Sequence, residues 1–279
     1  MENLSTGKKD VVIINSDQNY VNHLKSLAVN IRLEGKWDGD IACVLSNVKD
    51  SDCNDLENRG FKILRADVKN EQYIKYNIFK PYFKRWDYAM YFDCDMMVFD
   101  DIRKLYDIHK AADPLKKYIF AETDGRSIGS YFFALWQYMG KLDKIKAVFL
   151  LWKLHSKYGF LDKLGFNCGF LIFNTDIITE NTFSELLALS GKYQTLNHHT
   201  SVEGGDQPTL NLYFYNRLRC IIDKSESYWA NMDERTIAAH FWRWFAPWVN
   251  ENYCNSLKKR FIDKYDENLR LFNDVFKVV

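Results

Sequence analysis

Short apolar runs and segments of helical spacing alternate through the first hundred residues, and few folds accommodate that order. Residues 11–14 (Val-Val-Ile-Ile) predict a first strand, ending at the polar stretch 15–20. Val21, Leu24, Leu27, Ala28 and Ile31 then recur at helical spacing, and Gly35 is expected to stop that helix. Residues 41–45 predict a second strand, 52–59 a short helix closed by Gly60, and 61–64 a third strand. Residues 71–85 read as helical until Pro81 interrupts the pattern. Such alternation with short connections predicts an α/β fold with a parallel sheet covered by helices on both faces. In sheets of this kind ligands bind beyond the C-terminal ends of the strands.

The next strand carries the feature with most chemistry. Residues 88–92 (Tyr-Ala-Met-Tyr-Phe) form an apolar run that leads into Asp93-Cys94-Asp95, and a second apolar run follows. Residues two apart in an extended segment point the same way, so both carboxylates can face one hard cation. Such ions take oxygen ligands and often bridge carboxylates to substrate phosphates. An Asp-x-Asp on an acidic surface loop would mean little. At the end of a core strand the pair needs a partner, because charges are rarely buried alone. Asp17 falls at another strand end, and that agreement marks a site.

Composition narrows the classes. At 279 residues, 47% hydrophobic and 27% charged, the chain can bury a substantial core in one domain or two merged lobes. A formal net charge of +1 gives no global field toward nucleic acid or an anionic membrane. The six cysteines lack any C-x-x-C pair and read as reduced thiols rather than a zinc site or disulfide frame. Residues 1–10 are polar, without a signal-peptide core, and no stretch approaches the roughly 20 apolar residues of a membrane span. A cytoplasmic location is therefore expected.

Beyond Asp100 the pattern loosens. Residues 118–121 predict a strand reaching Glu122-Thr123-Asp124-Gly125. The aromatic stretch 130–160 reads as an added helical hairpin packed on the core, with an acceptor lid or dimer surface as alternatives. Residues 166–174 predict another core strand, entered through Asn167 and Gly169. Gly204-Gly205-Asp206-Gln207-Pro208 opens a helix, and capping alone would account for Asp206. Leu257, Phe261, Tyr265, Leu269, Phe272 and Phe276 make a stripe on a C-terminal helix, expected to dock on the core. The division expected is one lobe over 10–100, a second over 101–250 and the C-terminal helix over 251–279, all in one domain.

Read together, separated segments resemble the retaining glycosyltransferases of family 8, the group of glycogenin and the bacterial lipooligosaccharide galactosyltransferases. They are Ser16-Asp17-Gln18-Asn19-Tyr20, then Tyr91-Phe92-Asp93-Cys94-Asp95, then Asn167-Cys168-Gly169 with Gly204-Gly205-Asp206-Gln207, and last His240-Phe241 with Pro247-Trp248. Order and spacing match from about residue 10 to 250. The resemblance implies a GT-A fold with a Rossmann-like, mostly parallel central sheet, a UDP-sugar donor and Mn²⁺, with Mg²⁺ as the alternative ion. It implies Asp93, Asp95 and His240 as metal ligands; His240 alone would read as a core histidine. Asp17, Asn19 and Tyr20 match the segment that receives the nucleotide, and Cys94 lies within the donor-binding turn. Lys75 matches a lysine on the donor phosphate or sugar, with Lys80 as a competitor. Asp124 and Asn167 match positions on the sugar hydroxyls, and Asp206 and Gln207 the pair nearest the anomeric carbon.

The chain departs from the family pattern where Arg243 and Ala246 replace a Gly and a phosphate-gripping Lys. Arg243 is expected to supply the missing cation through bidentate phosphate binding; stacking between Trp242 and Trp244 is the plainer role. The expected acceptor is a carbohydrate or protein hydroxyl, and a homodimer is left open. Three other classes stay open: a self-glycosylating protein using one of 17 tyrosines, a metal-dependent nucleotidyltransferase, and a silent carbohydrate-binding relative. The last should have lost Asp93, Asp95 or His240. All are present.

Overall fold

The computed structural model describes residues 10–66, 71–123, 125–132, 141–192, 206–219, 236–240, 255–274 and 276. Its centre is a sheet ordered β3-β2-β1-β4-β7-β6. The strands are β1 (Val11–Asp17), β2 (Asp40–Ser46), β3 (Lys62–Arg65), β4 (Tyr88–Phe92), β6 (Ile119–Ala121) and β7 (Phe170–Asn174). β3, β2, β1 and β4 run parallel, whereas β7 is antiparallel to both β4 and β6. The sheet is thus mostly parallel, as expected, with one reversed strand. That reversal places the start of β7 on the same edge as the C-terminal ends of β1, β4 and β6, so residues 167–169 face Asp17 and Asp93 across one rim.

Strand alternation sorts the core into two layers. Val12 and Ile14 of β1 pack with helices α1 (Val21–Leu33), α2 (Asp50–Asn58) and α3 (Arg103–Ala111) and with Phe272 of the C-terminal helix. Val11 and Ile13 pack on the other face against Tyr76, Phe79 and Phe83 and against Leu186, Leu210 and Phe214. All of β4 is buried. Burying each of its large side chains contributes about 1.5–3 kcal/mol, and truncating Phe92 to Ala would cost about 3–5 kcal/mol.

Several segments differ from their sequence reading. Residues 71–85 form two 3₁₀ segments, Glu71–Phe79 and Pro81–Arg85, in place of one helix. Lys80 is extended at φ −77°, ψ 150°, because the ring of Pro81 disfavours the helical region in the residue before it. Helix α1 ends at Leu33, and the left-handed residue beyond it is Lys36 (φ 51°), not Gly35. Gly35 is needed for a close approach instead: a Cβ there would sit 2.6 Å from the Ile31 carbonyl oxygen. The strand expected over 166–174 is regular only as β7, and 166–169 form its irregular lead-in. Within 130–160, α4 (Ile128–Tyr131) and α5 (Lys141–Lys157) are helical, while 133–140 lie outside the described residues.

A small second sheet joins β5 (Met96–Val98) antiparallel to β8 (Ala238–His240), pairing Met96 with His240. Buried Asn30 of α1 donates to the Val98 carbonyl (3.0 Å) and accepts its N–H (2.5 Å). The segment just after Asp95 is thereby tied to the first helix. The remaining α-helices among the described residues are α6 (Thr182–Lys192), α7 (Gln207–Phe214) and α8 (Asn255–Asp274). Helix α8 packs along α1, where the Ser26 hydroxyl donates to the Tyr265 carbonyl at 3.2 Å. The C-terminal helix docks on the core through Phe272, as expected, while the side chains of Leu257 and Phe261 lie outside the described residues.

Candidate active site

Asp93 and Asp95 occupy the turn between β4 and β5. The antiparallel pairing of β5 with β8 carries His240 back over that turn. One ligand atom from each of the three side chains lies within 4.8 Å of the others. The imidazole Nε2 of His240 is 3.0 Å from Asp95 Oδ1 and 3.8 Å from Asp93 Oδ2. Asp95 Oδ1 and His240 Nε2 are both shielded from solvent. Three ligand atoms gathered so closely fit a divalent ion. Carboxylate oxygens and an imidazole nitrogen together are a ligand set that several divalent first-row ions accept.

Lys75 enters from the first 3₁₀ segment. Its Nζ lies 3.0 Å from Asp93 Oδ2 and 2.9 Å from Asp206 Oδ2, linking the cluster to the start of α7. Burial opposes its charge, but Asp206 and Asp93 outweigh that and hold the ammonium protonated. Lys80, the competing lysine, has its Nζ 4.6 Å from the centre of the Phe183 ring. Asp206 also departs from the capping role. It occupies the position before α7 with helical φ/ψ and makes no side-chain cap, and its carboxylate turns to Lys75. Gln207 beside it is buried in the first turn of α7.

The two aspartates titrate in opposite directions. Burial raises the Asp93 carboxyl above its usual range, with Lys75 opposing and Asp95 adding to the rise. Burial also pushes Asp95 upward, but His240 and then Lys75 bring it below the usual range. Burial lowers His240, and the Asp95 and Asp93 charges more than reverse that. Burial, then the charges of Asp95 and Asp93, push the Cys94 thiol well up, so it remains a protonated filler of the turn.

Around this centre the other residues are placed unevenly. Asp17 Oδ1 accepts the backbone N–H groups of Asn19 (2.8 Å) and Tyr20 (3.2 Å), which shapes the loop after β1. Burial raises the Tyr20 hydroxyl and the Asp95 charge raises it further, which puts this loop within electrostatic reach of the cluster. Asn167 Oδ1 accepts the Gly169 N–H at 2.7 Å, and the Asn167 N–H donates to the Glu122 carbonyl at 2.8 Å. Asp124, Arg243, Pro247 and Trp248 lie outside the described residues, as do Gly204 and Gly205. Cys43, Cys53, Cys94 and Cys168 are free thiols.

One participant is absent from the sequence-based site. The Tyr91 hydroxyl donates to Asp93 Oδ1, while Lys75 takes Oδ2. Burial and the Asp93 charge keep that hydroxyl protonated. Strand alternation was the available signal, since residues 91 and 93 share a side.

Comparison with known proteins agrees with this architecture. The chain superposes on the bifunctional glycosyltransferase WbbM with a TM-score of 0.62 at 20% identity, covering 96% of this chain and 50% of that one. GlyE, a glycosyltransferase of Streptococcus pneumoniae TIGR4, gives 0.61 at 16% identity, covering 97% and 65%. The galactosyltransferase LgtC, solved with donor and acceptor sugar analogues, gives 0.59 at 16% identity, covering 92% and 95%. At these identities the likeness is one of fold. The chain thus spans about half the length of WbbM and 65% of GlyE. No curated protein sequence matches it. Sheet, helices and rim share the GT-A architecture of these glycosyltransferases. The profile of glycosyl transferase family 8 matches residues 41–252, and the chain belongs to that family. Among the described residues no helix is long and apolar enough to cross a membrane.

Proposed function

We propose that the protein moves a hexose from a UDP-sugar to an acceptor hydroxyl with retention at the anomeric carbon, using a divalent ion held by Asp93, Asp95 and His240. The observation that carries this reading is the gathering of one ligand atom from each of Asp93, Asp95 and His240 within 4.8 Å of one another at the rim of the sheet. Mn²⁺ is the expected ion and Mg²⁺ the alternative. When bound, it would act as a Lewis acid toward the departing diphosphate.

The chain's own residues supply the rest. Lys75 sits where a phosphate could exchange for one of its carboxylates, placing positive charge beside the leaving group. Arg243 is assigned to the diphosphate by its guanidinium chemistry. Asp17, Asn19 and Tyr20 are assigned to the nucleotide, with Cys94 in the turn against it. Asp124 and Asn167 are assigned to the sugar hydroxyls. Asp206 and Gln207, held at the head of α7 by the Lys75 contact and by burial, are assigned to the reacting face of the sugar. Residues 10–100 would then bind the nucleotide and 101–250 the acceptor. The name of LgtC makes UDP-galactose an early donor to try.

The test is UDP release from a panel of UDP-sugars, with and without Mn²⁺, beside Asp95→Ala. Slow hydrolysis of one donor that needs both the ion and Asp95 supports the reading and names the sugar. Silence across the panel together with no heat of UDP binding would move the assignment to other nucleotide donors or to nucleotidyl transfer.

A further inference from the structure

Helix α5 (Lys141–Lys157) is apolar on two opposite faces. On the inner face Leu151 and Leu154 join Ile128, Phe132, Leu161 and Leu212 in a small core of their own. On the outer face Ile145, Val148, Phe149 and Trp152 are 67%, 52%, 54% and 64% exposed. Their spacing of three, one and three residues puts them on one side of the helix. The Phe149 and Trp152 rings stack at 6.1 Å with 25° between planes, so the stripe is continuous there.

Lysines border the stripe. Lys146, Lys153 and Lys157 follow one flank at intervals of seven and four residues and are exposed, and Lys144 lies on the other. Lys153 Nζ lies 4.5 Å from the centre of the Phe149 ring. Among the described residues no carboxylate forms an ion pair with Lys146, Lys153 or Lys157. The net charge of +1 for the whole chain hides this local bias.

We propose that the outer face of α5 docks on an anionic lipid bilayer, lying in the plane of its surface. An exposed apolar ribbon edged by lysines matches the two layers of such a surface. The ribbon enters the acyl boundary while the ammonium groups extend to the phosphates. Self-association through the same stripe would bring two lysine borders together, which like charge opposes. The helix is too short and too charged to span. Its inner face packs through Leu154 and Leu212 on α7, and Phe160 stacks on Tyr215 at 4.0 Å. A docked bilayer would therefore hold a fixed relation to the start of α7, where Asp206 and Gln207 lie. The inference stands on exposure and charge and does not depend on the proposed donor.

The test is flotation of the full chain with vesicles of phosphatidylcholine alone and with an equimolar mixture of phosphatidylcholine and phosphatidylglycerol. Binding to the mixture, about tenfold or more above phosphatidylcholine alone and weakened by salt, is expected. Phe149→Ser with Trp152→Ser should abolish it at an unchanged melting temperature. Lys146→Gln, Lys153→Gln and Lys157→Gln together should remove the preference for the anionic mixture. A wild-type chain that floats with neither vesicle overturns the proposal, as does binding that survives the Phe149/Trp152 change. A dimer in sedimentation that the same change dissolves, without vesicle binding, would give the face to a second copy and overturn it too.

Discussion

Gly169 lies directly against the imidazole of His240. A Cβ built on Gly169 would meet both Cε1 and Nδ1 of that ring at 2.5 Å. The glycine itself has little room to yield. Its N–H is held by Asn167 Oδ1 at 2.7 Å, and its carbonyl accepts the Asp93 N–H at 2.8 Å. The missing side chain thus creates the place that the imidazole occupies beside the two carboxylates.

Gly169→Ala is therefore expected to push His240 off the cluster. Turnover should fall by about a hundredfold, the scale of a misplaced reacting group. Stability should fall by about 1–3 kcal/mol, as for other overpacked core sites. A donor-hydrolysis assay beside a thermal melt checks both, and wild-type turnover in this variant would remove His240 from the site.

Lys75 is shared between Asp93 and Asp206, so the two carboxylates should respond differently to substitution. Asp206→Asn keeps an oxygen for Lys75 while removing the charge next to the proposed reacting carbon. Turnover is expected to fall by about a hundredfold or more while UDP affinity changes little. Lys75→Met leaves two partly buried carboxylates, 21% and 13% exposed, without their cation and should destabilise the fold by about 1–3 kcal/mol. Kinetics with calorimetry of UDP binding separate the two cases. Equal losses of rate and affinity in Asp206→Asn would argue for a donor-binding role instead.

Tyr91→Phe removes the hydroxyl that fixes Asp93 Oδ1. Outer partners of metal ligands typically tune affinity by about 10- to 100-fold. Mn²⁺ titration of this variant should show a loss in that range, with the chain still folded. An unchanged ion affinity would reduce Tyr91 to a core residue.

Acid should weaken the fold through His109. The ring is 3% exposed, stacks on Phe120 at 5.0 Å, and has no hydrogen-bond partner on either nitrogen among the described residues. Burial lowers it from 6.5 to about 4. The unfolded chain therefore binds a proton that the native chain refuses between those values, so stability is full above about 6.5 and declines as pH falls toward 4. Denaturant midpoints from pH 7 to pH 4 should drop more steeply for the wild type than for His109→Phe. Identical slopes would contradict the assignment.

Much of this was legible in the chain, for reasons that differ by residue. Val11 to Ile14 and Tyr88 to Phe92 announce buried strands because burial on both faces leaves no polar position. The Asp93/Asp95 pair was readable because carboxylates at a strand end need an explanation. The direction of β7 was not, since an apolar run carries no sign of its partner's polarity. The interruption at Lys80 followed from Pro81, yet the change to 3₁₀ geometry on either side has no local signature. Asp206 looked like a cap because its partner Lys75 is 131 residues away in sequence, beyond any local pattern. The outward stripe of α5 read as core because Phe149 and Trp152 are ordinary core residues until their neighbours are known.

The most direct test of the metal cluster is Mn²⁺ binding followed by the electron paramagnetic resonance signal of the free ion, for the wild type, Asp95→Ala and His240→Ala. The account predicts that the wild type removes one equivalent of Mn²⁺ from solution, more tightly with UDP present, and that both variants leave the free signal nearly undiminished. Equal Mn²⁺ uptake by the wild type and both variants would contradict it.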